Sequence, residues 1–126
     1  MGKYGQAAVR AKKILLRSGP SPAQAWKAAI AQFTSSNQSR SKVCPREAFI
    51  GLCAADVITG ISGDTGGGGK RARNRQYALA AWKLLQSQPN LDKKSLWASI
   101  PDAPMQENGQ MDVVISLWKD QEREHS

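Results

Sequence analysis

The glycine run that ends in a lysine, residues 66–70, is the part of the sequence closest to a known chemical motif. A phosphate-binding loop of the pattern G-x-x-x-x-G-K-[ST] cradles nucleotide phosphates with backbone N–H groups, and its lysine contacts them. A match ending at Lys70 needs glycine at position 64 and serine or threonine at position 71, whereas the chain has Asp64 and Arg71. No strand pattern precedes the run, so the sequence argues against nucleotide hydrolysis.

The same segment keeps the features of a simpler anion-binding site. Residues 61–69 contain five glycines and no long apolar side chain after Ile61, which predicts a mobile loop. A glycine-rich turn that enters a helix N-terminus presents N–H groups to an anion, and four basic residues follow within 70–75. The alternative is a flexible linker with a solvated basic end, which the sequence slightly favours.

Few side chains offer the groups that a catalyst or a metal site needs. The single histidine, His125, lies in a polar tail where it is not held as a base or a ligand. Cys44 stands at a predicted helix start beside Arg46, but it lacks a base partner, so a structural role is favoured. The chain has no Cys-x-x-Cys, His pair or Asp-x-Asp. We therefore predict a non-enzymatic protein without a metal or a cofactor.

Charge is segregated along the chain, and this is the strongest functional signal. The net charge is +8, and residues 1–46 hold nine basic side chains and no acidic one. Residues 1–91 hold 14 basic against three acidic side chains, whereas residues 92–126 hold four against seven. A solvated surface normally mixes both signs. The segregation predicts a positive face that attracts nucleic acid or an acidic protein, although a basic surface without either role fits the composition too.

The residues that we expect to contact a nucleic acid or another anion come from three segments: the first helix, the polar loop after the second helix, and residues 70–75. On the first helix the basic residues recur at steps of seven, three and four, so they share one face. The full set is Lys3, Arg10, Lys13, Arg17, Arg40, Lys42, Lys70, Arg71, Arg73 and Arg75.

Trp82 is a candidate partner anchor. It follows Tyr77 by five residues, which places it about 140° around a helix from the apolar face that Tyr77 occupies. An exposed tryptophan can stack on a base or anchor a protein partner. The alternative is a second core contact beside Ala78, which the sequence favours.

Helical periodicity must position these residues. The 126 residues suffice for one domain, and apolar residues recur at three- and four-residue steps over 4–17. Gly19 and Pro20 predict the end of this helix, and Ser21 begins a second helix as a capping box that extends to about residue 34. Residues 34–42 read as a polar loop, and Pro45 opens a third helix that ends by Gly60.

The second half repeats this pattern. A fourth helix carries Tyr77 and Leu84, and a fifth, capped by Asn90 or Asp92, carries Trp97. Residues 111–118 fit a last helix, although the apolar run within them also fits a strand. We expect a single all-α domain of five or six short helices over residues 1–119, followed by a charged, frayed tail over 120–126.

An internal echo accompanies the helices. Residues 15–20 and 84–89 are similar, each follows a Tyr/Ala/Ala face, and each precedes a helix with tryptophan and isoleucine. This suggests two pseudo-repeated helix–turn–helix pairs, with convergence on good helix punctuation as the alternative. The expected core consists of Tyr4, Leu15, Trp26, Phe33, Phe49, Leu52, Tyr77, Leu84, Trp97 and Trp118.

Three segments carry a resemblance to known sequences: residues 2–8 (GKYGQAA), residues 44–53 (CPREAFIGLC) followed by Gly60 and Ile61, and residues 74–85 (NRQYALAAWKLL). Together they resemble a family of small uncharacterised bacterial proteins, a domain of unknown function, over about residues 1–100. The resemblance implies a bacterial cytoplasmic setting and brings no activity with it.

These observations lead to two functions of different classes. The first is a non-enzymatic basic binding protein with nucleic acid as its partner, held through the phosphate backbone. The second is a protein-interaction module, an inhibitor or regulator that docks on an acidic protein surface. No segment approaches the roughly 20 apolar residues of a membrane span. No secretory signal is recognisable, and the two cysteines are too far apart on one helix for a disulfide, so we expect a cytoplasmic protein.

Overall fold

The computed structural model describes residues 2–55, 57–58, 70–104 and 107–124, without the side chains of residues 70–72 and 124. The expected mobile loop over 61–69 and the histidine His125 lie outside these residues. The described parts form seven helices and no strand, in one all-α domain. They are α1 (Lys3–Ser18), α2 (Pro22–Ile30), α3 (Asn37–Arg40), α4 (Val43–Ala54), α5 (Lys70–Ser87), α6 (Lys93–Ala98) and α7 (Gln110–Glu124).

The connection between α1 and α2 follows the predicted punctuation. Gly19 adopts φ 67°, and its N–H donates to the carbonyl of Leu15 at 3.1 Å. Ser21 caps α2, because its hydroxyl accepts from the Gln24 N–H at 3.2 Å while the Gln24 side chain accepts from the Ser21 N–H at 3.2 Å. The capping box and the left-handed glycine are both confirmed. They turn the chain so that α2 packs back along α1.

Two helix boundaries differ from the predicted ones. α2 ends at Ile30, so Phe33 falls outside the helix and is 36% exposed, which corrects its place in the core. The polar loop contains the single-turn helix α3, and α4 begins two residues before Pro45. Proline is tolerated there because the first N–H groups of a helix have no intrahelical partner.

Helices α6 and α7 resolve the second half of the chain. Asp92 caps α6 by accepting from the Ser95 N–H at 2.7 Å, and this backbone hydrogen bond lowers the pKa of the Asp92 carboxyl. Residues 111–118 are helical. α7 continues five residues beyond the predicted domain boundary at 119, where the carboxylate of Asp120 pairs with the buried ammonium of Lys12 at 3.1 Å. The segment 120–124 is therefore helical rather than frayed.

The core lies around α4 and α7, which both pack against α5, while α1 packs against α2 and α7. Three aromatic pairs fill it: Trp26 with Phe49, Tyr77 with Trp97, and Trp82 with Trp118. Among the predicted core residues, four are fully buried and the others except Phe33 pack against the core partly buried. The fully buried ones are Trp26, Phe49, Leu52 and Trp97.

The two helix pairs suggested by the sequence echo differ in their packing. α1 lies closely against α2, whereas α5 touches α6 at few points. α4 and α7, rather than the opposite pair, provide most of the neighbours of α5. The echo thus corresponds to similar helix punctuation and not to two equivalent packed units.

Gly51 sits where α4 and α5 approach each other most closely. A Cβ atom on Gly51 would lie 2.6 Å from the Cβ and 2.7 Å from the Cα of Arg75. Gly→Ala inside a helix normally stabilises by roughly 1 kcal/mol. We expect Gly51→Ala instead to destabilise by about 1–3 kcal/mol, because backbone atoms of α5 must move. Urea unfolding measures the sign, and a gain in stability would contradict the close approach.

Candidate polyanion-binding face

One side of α1 carries a row of cations. Lys3, Arg10, Lys13 and Arg17 are all exposed, and their spacing places them within an arc of about 80° and along about 21 Å of the helix axis. The predicted common face is confirmed. We call these four residues the α1 row.

The opposite side of α1 is built from small residues. Ala7, Ala8 and Ala11 are fully buried, which lets α2 and α7 approach the helix closely. A rigidly packed helix holds the α1 row in a fixed line on the surface. Its position therefore depends on the buried alanines as much as on the basic residues themselves.

Lys12 interrupts the pattern, because it is a basic residue on the buried side of α1. Its side chain is 1% exposed, and the ion pair with Asp120 links α1 to the end of α7. Charge counting alone places Lys12 with the surface cations. The signal that separates it is its step of four from buried Ala8, which puts both residues on one side of the helix.

A second group of cations adjoins the N-terminus of α1. The ammonium groups of Lys3 and Lys42 each lie 5.3 Å from the centroid of the Tyr4 ring, so they are within about 11 Å of each other. Lys3 also donates to the hydroxyl of Ser39 in α3 at 2.8 Å. Together these contacts place Lys42, from the connection before α4, beside the first residue of the α1 row.

Arg40 is held by the backbone at the end of α2. Its Nε donates to the carbonyl of Thr34 at 2.8 Å, and its Nη2 donates to the carbonyl of Ala31 at 3.3 Å. The residue is exposed, so its guanidinium is fixed in orientation while it still faces solvent. A positioned guanidinium loses less conformational freedom when it binds an anion.

The structure does not bring the residues of 70–75 together as one site. Arg75 is half-buried, and its Nε and Nη2 donate to the Glu47 carboxylate at 3.0 and 2.9 Å. This ion pair corrects the prediction that Arg75 is a surface contact. Arg73 is exposed, whereas the side chains of Lys70 and Arg71 lie outside the described residues. The anion site at the glycine loop stays a prediction.

Trp82 does not reach the surface. Its side chain is 2% exposed, and its ring meets that of Trp118 edge-on with centroids 5.0 Å apart. The burial corrects its assignment as a partner anchor and confirms the alternative of a second core contact. Helix α5 buries both sides because α4 and α7 flank it.

Acidic side chains are directed into the molecule. Glu47 pairs with Arg75, Asp120 pairs with Lys12, and Asp112 accepts from the N–H groups of Gly2 and Gly5 at 3.0 and 2.7 Å. Within the part of the chain that the structure describes, no ion pair involves the three C-terminal members of the α1 row, Arg10, Lys13 and Arg17. The internal pairing of the acids leaves the charge of this face uncompensated.

The thiols differ in burial. Desolvation raises the pKa of the Cys53 thiol to about 12, so it stays protonated at neutral pH and is a poor nucleophile. Cys44 is partly buried, and neither cysteine forms a disulfide. Across the described residues no group of three or more potential ligands is arranged to hold a metal ion.

Comparison with known proteins gives one match. A family model described as a family of unknown function (DUF6979) covers residues 1–122. Neither a curated protein nor a solved structure matches the chain. Among the described helices none has both the length and the apolar character needed to cross a membrane.

Proposed function

Starting from the premise that the chain belongs to DUF6979, a family of unknown function, we propose that it is a non-enzymatic protein that binds nucleic acid through the phosphate backbone. The observation that carries this proposal is the α1 row, an exposed line of four cations without acidic neighbours. Lys42 extends the line at one end. A bacterial cytoplasmic setting is part of the proposal and rests on the sequence resemblance.

The dimensions of the α1 row suit a phosphate backbone. Phosphates follow one another every 3.4 Å or so along each strand of a duplex, so the roughly 21 Å of the row faces about six of them. Lysine and arginine that neutralise phosphates release condensed counterions, which drives binding at low salt. The row contains no side chain placed to read base edges, so binding is independent of sequence.

A triple substitution tests this proposal. We expect Arg10→Gln, Lys13→Gln and Arg17→Gln together to weaken binding of a labelled duplex by roughly 10- to 500-fold near 0.1 M salt, because about one order of magnitude is lost for each phosphate contact. Fluorescence anisotropy with several unrelated duplexes and single strands measures this. The loss should be similar for every sequence.

A matched variant controls for net charge. Lys83, Lys94 and Lys119 are exposed and lie on α5, α6 and α7. Their replacement by glutamine removes the same three charges away from α1 and should leave most of the affinity. Equal losses in the two variants would show that only net charge matters and would contradict a site on α1.

A further inference from the structure

A groove of about 1040 Å³ opens between α2, α3 and the first turns of α4. Trp26 and Ile30 of α2 line its apolar part, and Lys27, Arg40 and Arg46 contribute three cations. No acidic residue lines it. Sites for small organic ligands typically occupy 300–1,000 Å³ and combine an apolar wall with a few convergent polar groups, which is the composition found here.

The charge of Arg46 is only weakly compensated. Its Nε lies 3.4 Å from the Glu47 carboxylate, but it forms no hydrogen bond with it or with any other described residue. Glu47 is already engaged by Arg75 at 2.9 Å. One carboxylate is therefore shared by two guanidinium groups, and the excess positive charge rests on Arg46, whose side chain is 28% exposed.

The wall of the groove also contains an unsatisfied donor. Trp26 is 1% exposed, and its indole Nε1 is buried without a hydrogen-bond acceptor among the described residues. A buried donor normally has a partner, so an unpaired one marks a place where the chain alone does not complete the hydrogen bonding. An acceptor-rich ligand in the groove supplies what this wall lacks.

We propose that the groove binds a phosphate monoester carried on an apolar or aromatic body, the chemistry of a nucleoside monophosphate. A phosphate with a charge of −1.5 to −2 near neutral pH matches the lysine and two arginines better than a single carboxylate does. Arg40 is already oriented by its two backbone hydrogen bonds, and guanidinium groups bind phosphate through paired N–H donors. The body of the ligand packs on Ile30 and Ala31.

This site is separate from the α1 row, whose four residues do not line the groove. The proposal therefore does not rest on nucleic-acid binding. The triple variant of Arg10, Lys13 and Arg17 should keep the groove ligand while it loses nucleic acid. The two proposals can fail independently.

Titration of the ¹⁵N-labelled protein with adenosine monophosphate tests the groove. We expect saturable shifts of the Trp26 indole resonance, identified by its loss in Trp26→Phe, and of backbone amides over 27–46. The indole resonances of Trp82, Trp97 and Trp118 should stay in place. Adenosine without phosphate should not bind, and inorganic phosphate should bind at least tenfold more weakly than the monophosphate.

Substitutions at the groove complete the test. Arg46→Gln and Lys27→Gln should each raise the dissociation constant of adenosine monophosphate at least fivefold, and exposed Lys27 also serves if Arg46→Gln disturbs folding. Lys83→Gln, which removes one charge on α5, should leave it unchanged. Absence of saturable shifts at millimolar adenosine monophosphate, or equal effects of the groove and α5 variants, would overturn the proposal.

Discussion

Glu47→Ala is expected to lower the free energy of unfolding by about 3–5 kcal/mol, because it leaves a half-buried arginine without its counterion. Glu47 is 2% exposed and joins α4 to α5 through Arg75, with donor–acceptor distances of 3.0 and 2.9 Å. The desolvation cost of the Arg75 guanidinium stays when the carboxylate is removed. Urea unfolding followed by circular dichroism measures the loss.

A second variant separates the ion pair from simple packing. In Glu47→Leu with Arg75→Met, both charges are gone and comparable volume remains, so most of the lost stability should return. If Glu47→Ala costs less than about 1 kcal/mol, the pair is not desolvated and the packing of α4 on α5 is looser than described.

Trp26→Ala is expected to cost about 3–5 kcal/mol, as for other buried aromatic residues truncated to alanine. Trp26 is 1% exposed, and its ring centroid lies 5.8 Å from that of Phe49, which joins α2 to α4. The lost ring leaves a cavity that α2 cannot fill without moving. Thermal unfolding and urea unfolding both report this change.

Phe33→Ala is the matched control for Trp26→Ala. Phe33 follows the end of α2 and is 36% exposed, so its truncation should cost well under half as much. An unchanged melting temperature for Trp26→Ala would mean that Trp26 belongs to an exposed surface. Equal losses in the two variants would contradict the end of α2 at Ile30.

Local chemistry explains which parts of the fold the sequence predicts. The left-handed Gly19, the capping box at Ser21 and the cap at Asp92 each depend on residues within four positions of one another. Such features are determined before any tertiary contact forms. The helical class and the common face of the α1 row follow from the same short-range periodicity.

Long-range contacts determine what the sequence leaves open. The partner of Lys12 is 108 residues away and that of Glu47 is 28 residues away, and no spacing rule connects either pair. The apolar run at the centre of α7 fits a helix or a strand, and its packing against α1, α4 and α5 favours the helix. Trp82 is buried for the same reason, since α5 has neighbours on more than one side.

The candidate groove is the hardest feature to find from the sequence. Its cations, Lys27, Arg40 and Arg46, come from three different helices and share no periodicity. Only the turn after α2 and the short α3 bring them around Trp26. In the sequence Arg40 counts simply as one more basic residue in a polar loop.

The measurement that tests the central claim most directly is the salt dependence of duplex binding, compared between the unaltered protein and the Arg10/Lys13/Arg17 triple glutamine variant. We expect the logarithm of the binding constant to fall linearly with the logarithm of salt concentration. The slope of the variant should be shallower by about 2–3, close to 0.9 for each phosphate contact removed. No binding at the lowest salt, or identical slopes for both proteins, would contradict nucleic-acid binding through the α1 row.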